Sequence, residues 1–115
     1  MISNKYRFHG YGSLNYLHRN GQTARGGMMA ARYAPNARRP RPRFAVVVSK
    51  KVYKSAVKRN RIRRRIYEIV RGYITPDAPS IDIALNVYSP EILTLPHAEL
   101  KKQIHHLLKT AGFVI

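Results

Sequence analysis

The 115-residue sequence predicts a small α+β sandwich, one sheet with helices packed on it. Residues 44–49 (FAVVVS) are rich in β-branched side chains and read as a strand. Apolar residues recur at helical spacing over 55–73 and again from about 96 to 111. Between those two stretches, residues 81–88 (IDIALNVY) alternate with the two-residue period of a strand. A chain of this length is expected to form a single domain, 1–115, with 1–12 and 35–43 irregular. Its apolar fraction of 44% and an expected burial of roughly two-thirds of the unfolded surface suit one modest core.

Taken in order, residues 1–12 mix Tyr, Phe, His and Gly without period. Ser13 is the candidate cap of a short helix through about Arg19, with Leu14, Leu17 and His18 toward one face and Gly21 as its stop. Residues 22–34 carry a weak signal, with 28–33 as the candidate strand. Residues 35–43 (PNARRPRPR) hold three prolines and read as an extended connection. The run at 44–49 is continuous, as in a strand covered on both faces. On the helix over 55–73, Ile62, Ile66, Ile69, Val70 and Tyr73 form one apolar stripe. In the next strand Ile81, Ile83, Leu85 and Val87 face one way, and Asp82, Ala84, Asn86 and Tyr88 the other. The last helix begins near Pro96, with Thr94 as candidate cap. It carries Leu100, Ile104, Leu107, Leu108 and Ala111 on one stripe and stops at Gly112. The expectation is one four-stranded mixed sheet with a helix pair and a long basic helix.

The charge is unevenly placed. Of 22 Lys and Arg residues, 18 lie in residues 1–67, where there is no acid; the net charge of +17 therefore originates there. Such self-repulsion opposes compaction and is relieved by a polyanionic partner. On the helix over 55–73, Arg61 and Arg64 lie nearly opposite the isoleucines, at about 100° per residue. Lys58 and Arg65 flank one side, Asn60 and Arg71 the other. Arg63 nears the apolar border, and Arg59 falls close to the stripe with its guanidinium expected to reach outward. Seven bases against one acid between Lys58 and Arg71 exclude a salt-bridged solvent face. Arg outnumbers Lys by 14 to 8, and a guanidinium fork matches phosphate oxygens and stacks on bases. Eight of the 11 aromatics share the basic stretch, the pairing that a single-stranded nucleic acid uses.

Several chemistries are excluded or unsupported. The sequence has no Cys, so disulfides, cysteine zinc sites and thiol catalysis are out. The carboxylates are scattered without the spacing of metal-assisted phosphoryl chemistry. Adjacent His105 and His106 diverge on a helix and make a poor ligand pair, so no metal site is expected. Gly26–Gly27 lacks the context of a phosphate loop. The longest apolar run, 44–48, is far short of the roughly 20 residues of a membrane span. No secretory signal is visible; no membrane contact and a cytoplasmic location are expected.

The stretch FAVVVSKKVYKSAVKRNRIRRRIYE, residues 44–68, resembles the protein subunit of bacterial ribonuclease P. That family has a strand ending in VSKK, here Val48, Ser49, Lys50 and Lys51. A basic helix follows, opening on RNR, here Arg59, Asn60 and Arg61, then Arg63, Arg64 and Arg65. The combination is specific, and the order of the remaining elements agrees over most of the chain. There are two departures. Tyr53 stands where the family usually has Gly, and Leu14 and His18 stand where its first helix often carries aromatics. Tyr16, Phe8 and Tyr11 are the candidates to replace those rings.

The resemblance implies an α/β sandwich with a left-handed βαβ crossover through the basic helix, against the usual hand. It implies a protein without bond chemistry of its own, assisting a catalytic RNA that removes the 5′ leader from precursor tRNA. No cofactor is implied for the protein alone, and Mg2+ is expected in the RNA active site. Carried over by position, Lys50, Lys51, Lys58, Arg59, Asn60, Arg61, Arg63, Arg64 and Arg65 are expected at the catalytic RNA. Phe8, Leu14, His18, Arg32 and Tyr33 are expected at a cleft for the single-stranded leader. The partners implied are the catalytic RNA and precursor tRNA, with the protein itself monomeric. The alternatives are a ribosomal or other structural RNA-binding protein and, more remotely, a protein-only nuclease.

Overall fold

The computed structural model describes residues 6–7, 11–36 and 41–113, with the side chains of 11–13 outside that description. The elements run α1 (Tyr11–Asn20), β1 (Gln22–Arg25), β2 (Met29–Pro35), β3 (Arg43–Val48), α2 (Ala56–Arg71), β4 (Ile81–Val87), a 3-10 turn (Pro90–Leu93) and α3 (His97–Ala111). The strands form one mixed sheet in the order β1-β2-β4-β3. β2 pairs antiparallel with β1 and with β4, Met29 opposite Val87 and Pro35 opposite Ile81. β3 pairs parallel with β4, Arg43 opposite Asp82 and Val48 opposite Val87. A parallel pair needs a crossover connection, and α2 supplies it.

The two-residue period of the strands divides the core into two unequal parts. On one face Met29, Ala31, Phe44, Val46, Val48, Ile83, Leu85 and Val87 pack against α2 and α3. Each of those helices buries five residues of its stripe: Ile62, Ile66, Tyr67, Ile69 and Val70 on α2, and Leu100, Ile104, Leu107, Leu108 and Ala111 on α3. The other face is floored by small residues, Ala34, Ala45 and Ala84, and α1 covers it mainly through Leu17. Burial of the continuous 44–48 run follows, because both faces of β3 are covered over most of its length.

Helix ends follow local chemistry. Ser55 caps α2, its Oγ accepting from the Lys58 amide at 3.3 Å. Gly112 ends α3 at φ 116°, a left-handed conformation that glycine adopts at no steric cost, and the Phe113 amide closes back on Leu108 O at 3.0 Å. Phe113 then packs on Phe44, ring centroids 5.9 Å apart.

Several boundaries differ from the sequence expectation. α1 starts at Tyr11, so Ser13 lies inside the helix. Thr94 does not cap α3; it closes the 3-10 turn, and the residue before α3 is Pro96, which offers no side-chain acceptor. The fourth strand of the expected sheet is β1, in the weak stretch 22–34 but outside the candidate strand 28–33: only Ala24 of its four residues is buried, so no apolar alternation marks its position. It exists because the chain turns back at Gly26–Met28, the Gly26 amide donating to Met29 O at 2.9 Å, and lays 22–25 against β2. Within 1–12, Arg7 makes a parallel bridge to Phe44 at the outer edge of β3. β2 and β3 extend to Pro35 and Arg43, into the expected connection.

Candidate nucleic-acid interface

The nine residues expected at the catalytic RNA lie on α2 and the turn before it, but their side chains divide into two groups. Lys50 and Lys51 are exposed in a turn that the Ser49 carbonyl organises by accepting from the amides of Val52 and Tyr53, 3.1 and 3.4 Å. Arg61 and Arg64 are exposed on the side of α2 opposite Ile62 and Ile66, and neither has a partner among the described residues. Lys58 is exposed too, its Nζ 5.2 Å from the centre of the Tyr53 ring. These five cations are available to phosphate.

The other arginines are engaged internally. Arg59 does not reach outward: its Nη1 donates to the carbonyls of Tyr53 and Lys54 at 2.9 and 2.8 Å, tying the first turn of α2 to the preceding segment. Arg63 donates to Asn60 Oδ1 at 2.7 Å, one helical turn back. Arg65 donates to Ile92 O at 2.6 Å, Leu93 O at 3.1 Å and Leu95 O, where the 3-10 turn ends. No helical wheel shows this, because the acceptors come from a segment 27–30 residues away. Tyr53 adds a second tie, its hydroxyl donating to Pro90 O at 3.2 Å. Tyr53 therefore links the turn before α2 to the 3-10 turn.

Behind α2, the Tyr67 hydroxyl accepts from the Val46 amide at 3.2 Å, satisfying a backbone donor on the outer edge of β3. Burial pushes the Tyr67 phenol above its ordinary range. The Val46 bond and the charges of Arg7 and Arg63 oppose that shift. Arg7 lies over the same ring at 5.6 Å. Burial also raises Tyr73, whose hydroxyl is 3.1 Å from His105 Nδ1 and joins α2 to α3. His105 is thus a helix-pairing residue, while His106 is exposed.

On the opposite face of the sheet, a cleft of about 240 Å³ opens between α1 and the strands. Leu14, Asn15, Leu17 and His18 form its helical wall, and Arg32, Val47, Ala84 and Asn86 its sheet wall. Ala84 is the small residue on its floor, leaving space that a larger side chain would fill. Leu14, His18 and Arg32 are brought together there. Tyr33 is placed on the other face, since neighbours in a strand alternate; it packs against the α2/α3 core and its hydroxyl donates to Gln22 Oε1 at 3.2 Å. Phe8 lies outside the described residues, as does the side chain of Tyr11. Tyr16 is 57% exposed and is not among the residues lining the cleft. Asn15, Val47 and Asn86 are cleft residues that sequence reasoning missed, although the alternation of β4 puts Asn86 on the Ala84 face. The cleft offers apolar walls at Leu14 and Val47 and amide and imidazole groups at Asn15, Asn86 and His18.

The geometry defines a class: a strongly basic α+β protein with a cation-bearing helix on one side of its sheet and a shallow, mixed-polarity cleft on the other. The family model described as Ribonuclease P matches residues 2–112, and the chain belongs to that family. The ribonuclease P protein component of Roseiflexus castenholzii is 37% identical over 98 residues, spanning 85% of this chain and 79% of that protein. That of Synechococcus sp. (strain RCC307) is 32% identical, spanning 97% and 96%. Among solved structures, the RNase P protein of Staphylococcus aureus superposes with a TM-score of 0.82 at 21% identity, covering 94% of this chain and 96% of that one. The RNase P protein of Thermotoga maritima gives 0.75 at 21% identity, covering 86% and 91%. The fold is the same. No helix among the described residues is long and apolar enough to cross a membrane.

Proposed function

We propose that this protein assists the catalytic RNA of ribonuclease P by holding two RNA segments on separate surfaces. α2 and the turn before it take the catalytic RNA through Lys50, Lys51, Lys58, Arg61 and Arg64. The cleft between α1 and the sheet takes the single-stranded 5′ leader of precursor tRNA. The observation that carries this reading is the division among the basic residues of α2. Arg59, Arg63 and Arg65 are spent on the protein, whereas Arg61 and Arg64 face out with no partner among the described residues. Unpaired cations clustered on one helix cost stability unless a polyanion neutralises them.

Bond cleavage belongs to the RNA and its Mg2+ ions. The described residues bring together no group of three His, Cys, Asp or Glu side chains. The protein acts as a monomer in the cytoplasm. Reconstitution tests the reading: adding the protein to its cognate catalytic RNA at low magnesium accelerates removal of the leader, and the protein alone cleaves nothing. Failure to stimulate the RNA, or cleavage by RNA-free protein, overturns it.

A further inference from the structure

The geometry points to Arg32 as a positioning residue that sets the width of the leader cleft, rather than a residue that grips the leader. This rests on the reading of the cleft as the leader site. Arg32 stands on β2 with its side chain toward α1. Its Nε donates to Leu17 O at 3.1 Å, one terminal nitrogen to Thr23 Oγ1 at 2.7 Å, and the other to His18 O. Leu17 and His18 belong to the last turn of α1, where helix carbonyls run out of amide partners; Leu17 O also accepts from the Gly21 amide at 2.9 Å, so the Arg32 Nε is its second donor. The fork thus ties the end of α1 to β2, and through Thr23 to β1. Its charge lies where the helix dipole is negative.

The remaining hold on α1 is slight among its described side chains, 14–20. α2 and α3 each bury five side chains, but α1 meets its alanine floor through Leu17, with Leu14 partly covered. Among the described side chains of α1, one buried leucine acts as a pivot and does not by itself fix the tilt of the helix. A second anchor at Arg32, holding two successive carbonyls in a planar fork, fixes that tilt and with it the gap between His18 and Asn86. A lysine keeps the charge but offers a single point, so it cannot hold both carbonyls and Thr23 in one geometry.

The test compares precursor tRNA with leaderless tRNA binding to the holoenzyme reconstituted from the full chain and its catalytic RNA. Arg32→Lys and Arg32→Ala are each expected to lose about tenfold of the leader-dependent affinity, because the cleft loses its register with the leader. Thr23→Val, which removes one acceptor and no charge, should lose part of it. Affinity of each variant for the catalytic RNA should stay at the wild-type value, which a general loss of folding would not allow. Wild-type behaviour of Arg32→Lys, with the salt slope of Arg32→Ala flattened by about 0.7, would mean a direct phosphate contact and would overturn the proposal.

A second reading, independent of RNA, uses the absence of native cysteine. Spin labels on Tyr16→Cys and Ser49→Cys in the free protein report the separation of α1 from the end of β3. The distance distribution should broaden with Arg32→Lys, and an unchanged distribution overturns the proposal. If wild-type holoenzyme shows no preference for the leader, the cleft reading fails, while the label distances still decide whether Arg32 holds α1.

Discussion

Replacing Arg65 by alanine removes three hydrogen bonds that cross from α2 to the carbonyls of Ile92, Leu93 and Leu95. The guanidinium is half-buried, and the carbonyls end a 3-10 turn whose Ile92 side chain is fully buried in the main core. A hydrogen bond to a charged group is worth about 1.5–3 kcal/mol, but bonds made by one fork are not additive. The loss is therefore about 2–3 kcal/mol, or on the order of 8–12 °C in Tm for a domain of this size. Arg65→Lys should recover little, since one ammonium cannot span the acceptors. Arg61→Ala and Arg64→Ala, on exposed positions without partners among the described residues, should stay within about 0.5 kcal/mol of the wild type. The RNA readout runs the other way. Arg61→Ala and Arg64→Ala should each flatten the salt dependence of binding to the catalytic RNA by about 0.7–0.9 in log–log slope, while Arg65→Ala leaves it unchanged. Circular-dichroism melts and a salt titration on the same samples decide. An Arg65→Ala protein that melts with the wild type, or whose slope flattens, refutes the division of α2 into structural and RNA-facing arginines.

Other consequences are as direct. Tyr67→Phe strands the Val46 amide and should cost about 1 kcal/mol at neutral pH, measured by urea unfolding. Because burial raises the Tyr67 pKa above 10.0, the native state holds its proton more tightly than the unfolded chain. That contribution is fully present below about pH 10 and is lost as the pH climbs through the native value, so wild type should lose more stability above pH 10 than Tyr67→Phe. Gly21→Ala would put a Cβ 2.6 Å from Leu17 O and 3.0 Å from Tyr33 O, both backbone atoms. A cost of about 1–3 kcal/mol is expected, with faster hydrogen exchange concentrated in α1; uniform exchange across the protein would contradict this. Asp82 accepts both Arg43 nitrogens, at 2.9 and 2.7 Å, and Asn36 at 3.0 Å, with the ion-pair side chains 14% exposed. Asp82→Ala should cost about 3 kcal/mol in denaturant unfolding, and a loss below about 1 kcal/mol would show that the pair is solvated.

The layers of the fold were legible where one residue pattern settles one element. The β-branched run gave β3, the alternation of 81–87 gave β4, and the isoleucine and leucine stripes gave α2 and α3. β1 was not legible, because a strand with one buried residue owes its existence to its partner and its turn. The basic helix proposed to face the RNA was visible in its charge and in the RNR pattern after VSKK. The wheel put Arg61 and Arg64 outward, where they lie; the engagement of Arg59 and Arg65 was not legible, because it depends on where the folded chain places the carbonyls of 53–54 and 92–95. The two-residue period alone puts Asn86 on the same face as Ala84. The same rule separates Tyr33 from Arg32, so both could not line one cleft. The role of Arg32 follows only from the carbonyls of α1, which no spacing in the sequence brings to β2.

The central claim is that two surfaces serve two RNA segments, and site-directed cross-linking tests it most directly. The chain has no cysteine, so photoreactive groups can be attached singly at Asn15→Cys in the cleft and at Arg64→Cys on α2. In the holoenzyme with precursor tRNA bound, the group at position 15 should cross-link the 5′ leader and the group at position 64 the catalytic RNA. Leader cross-links from position 64, or none from position 15 while position 64 labels the catalytic RNA, would contradict the account.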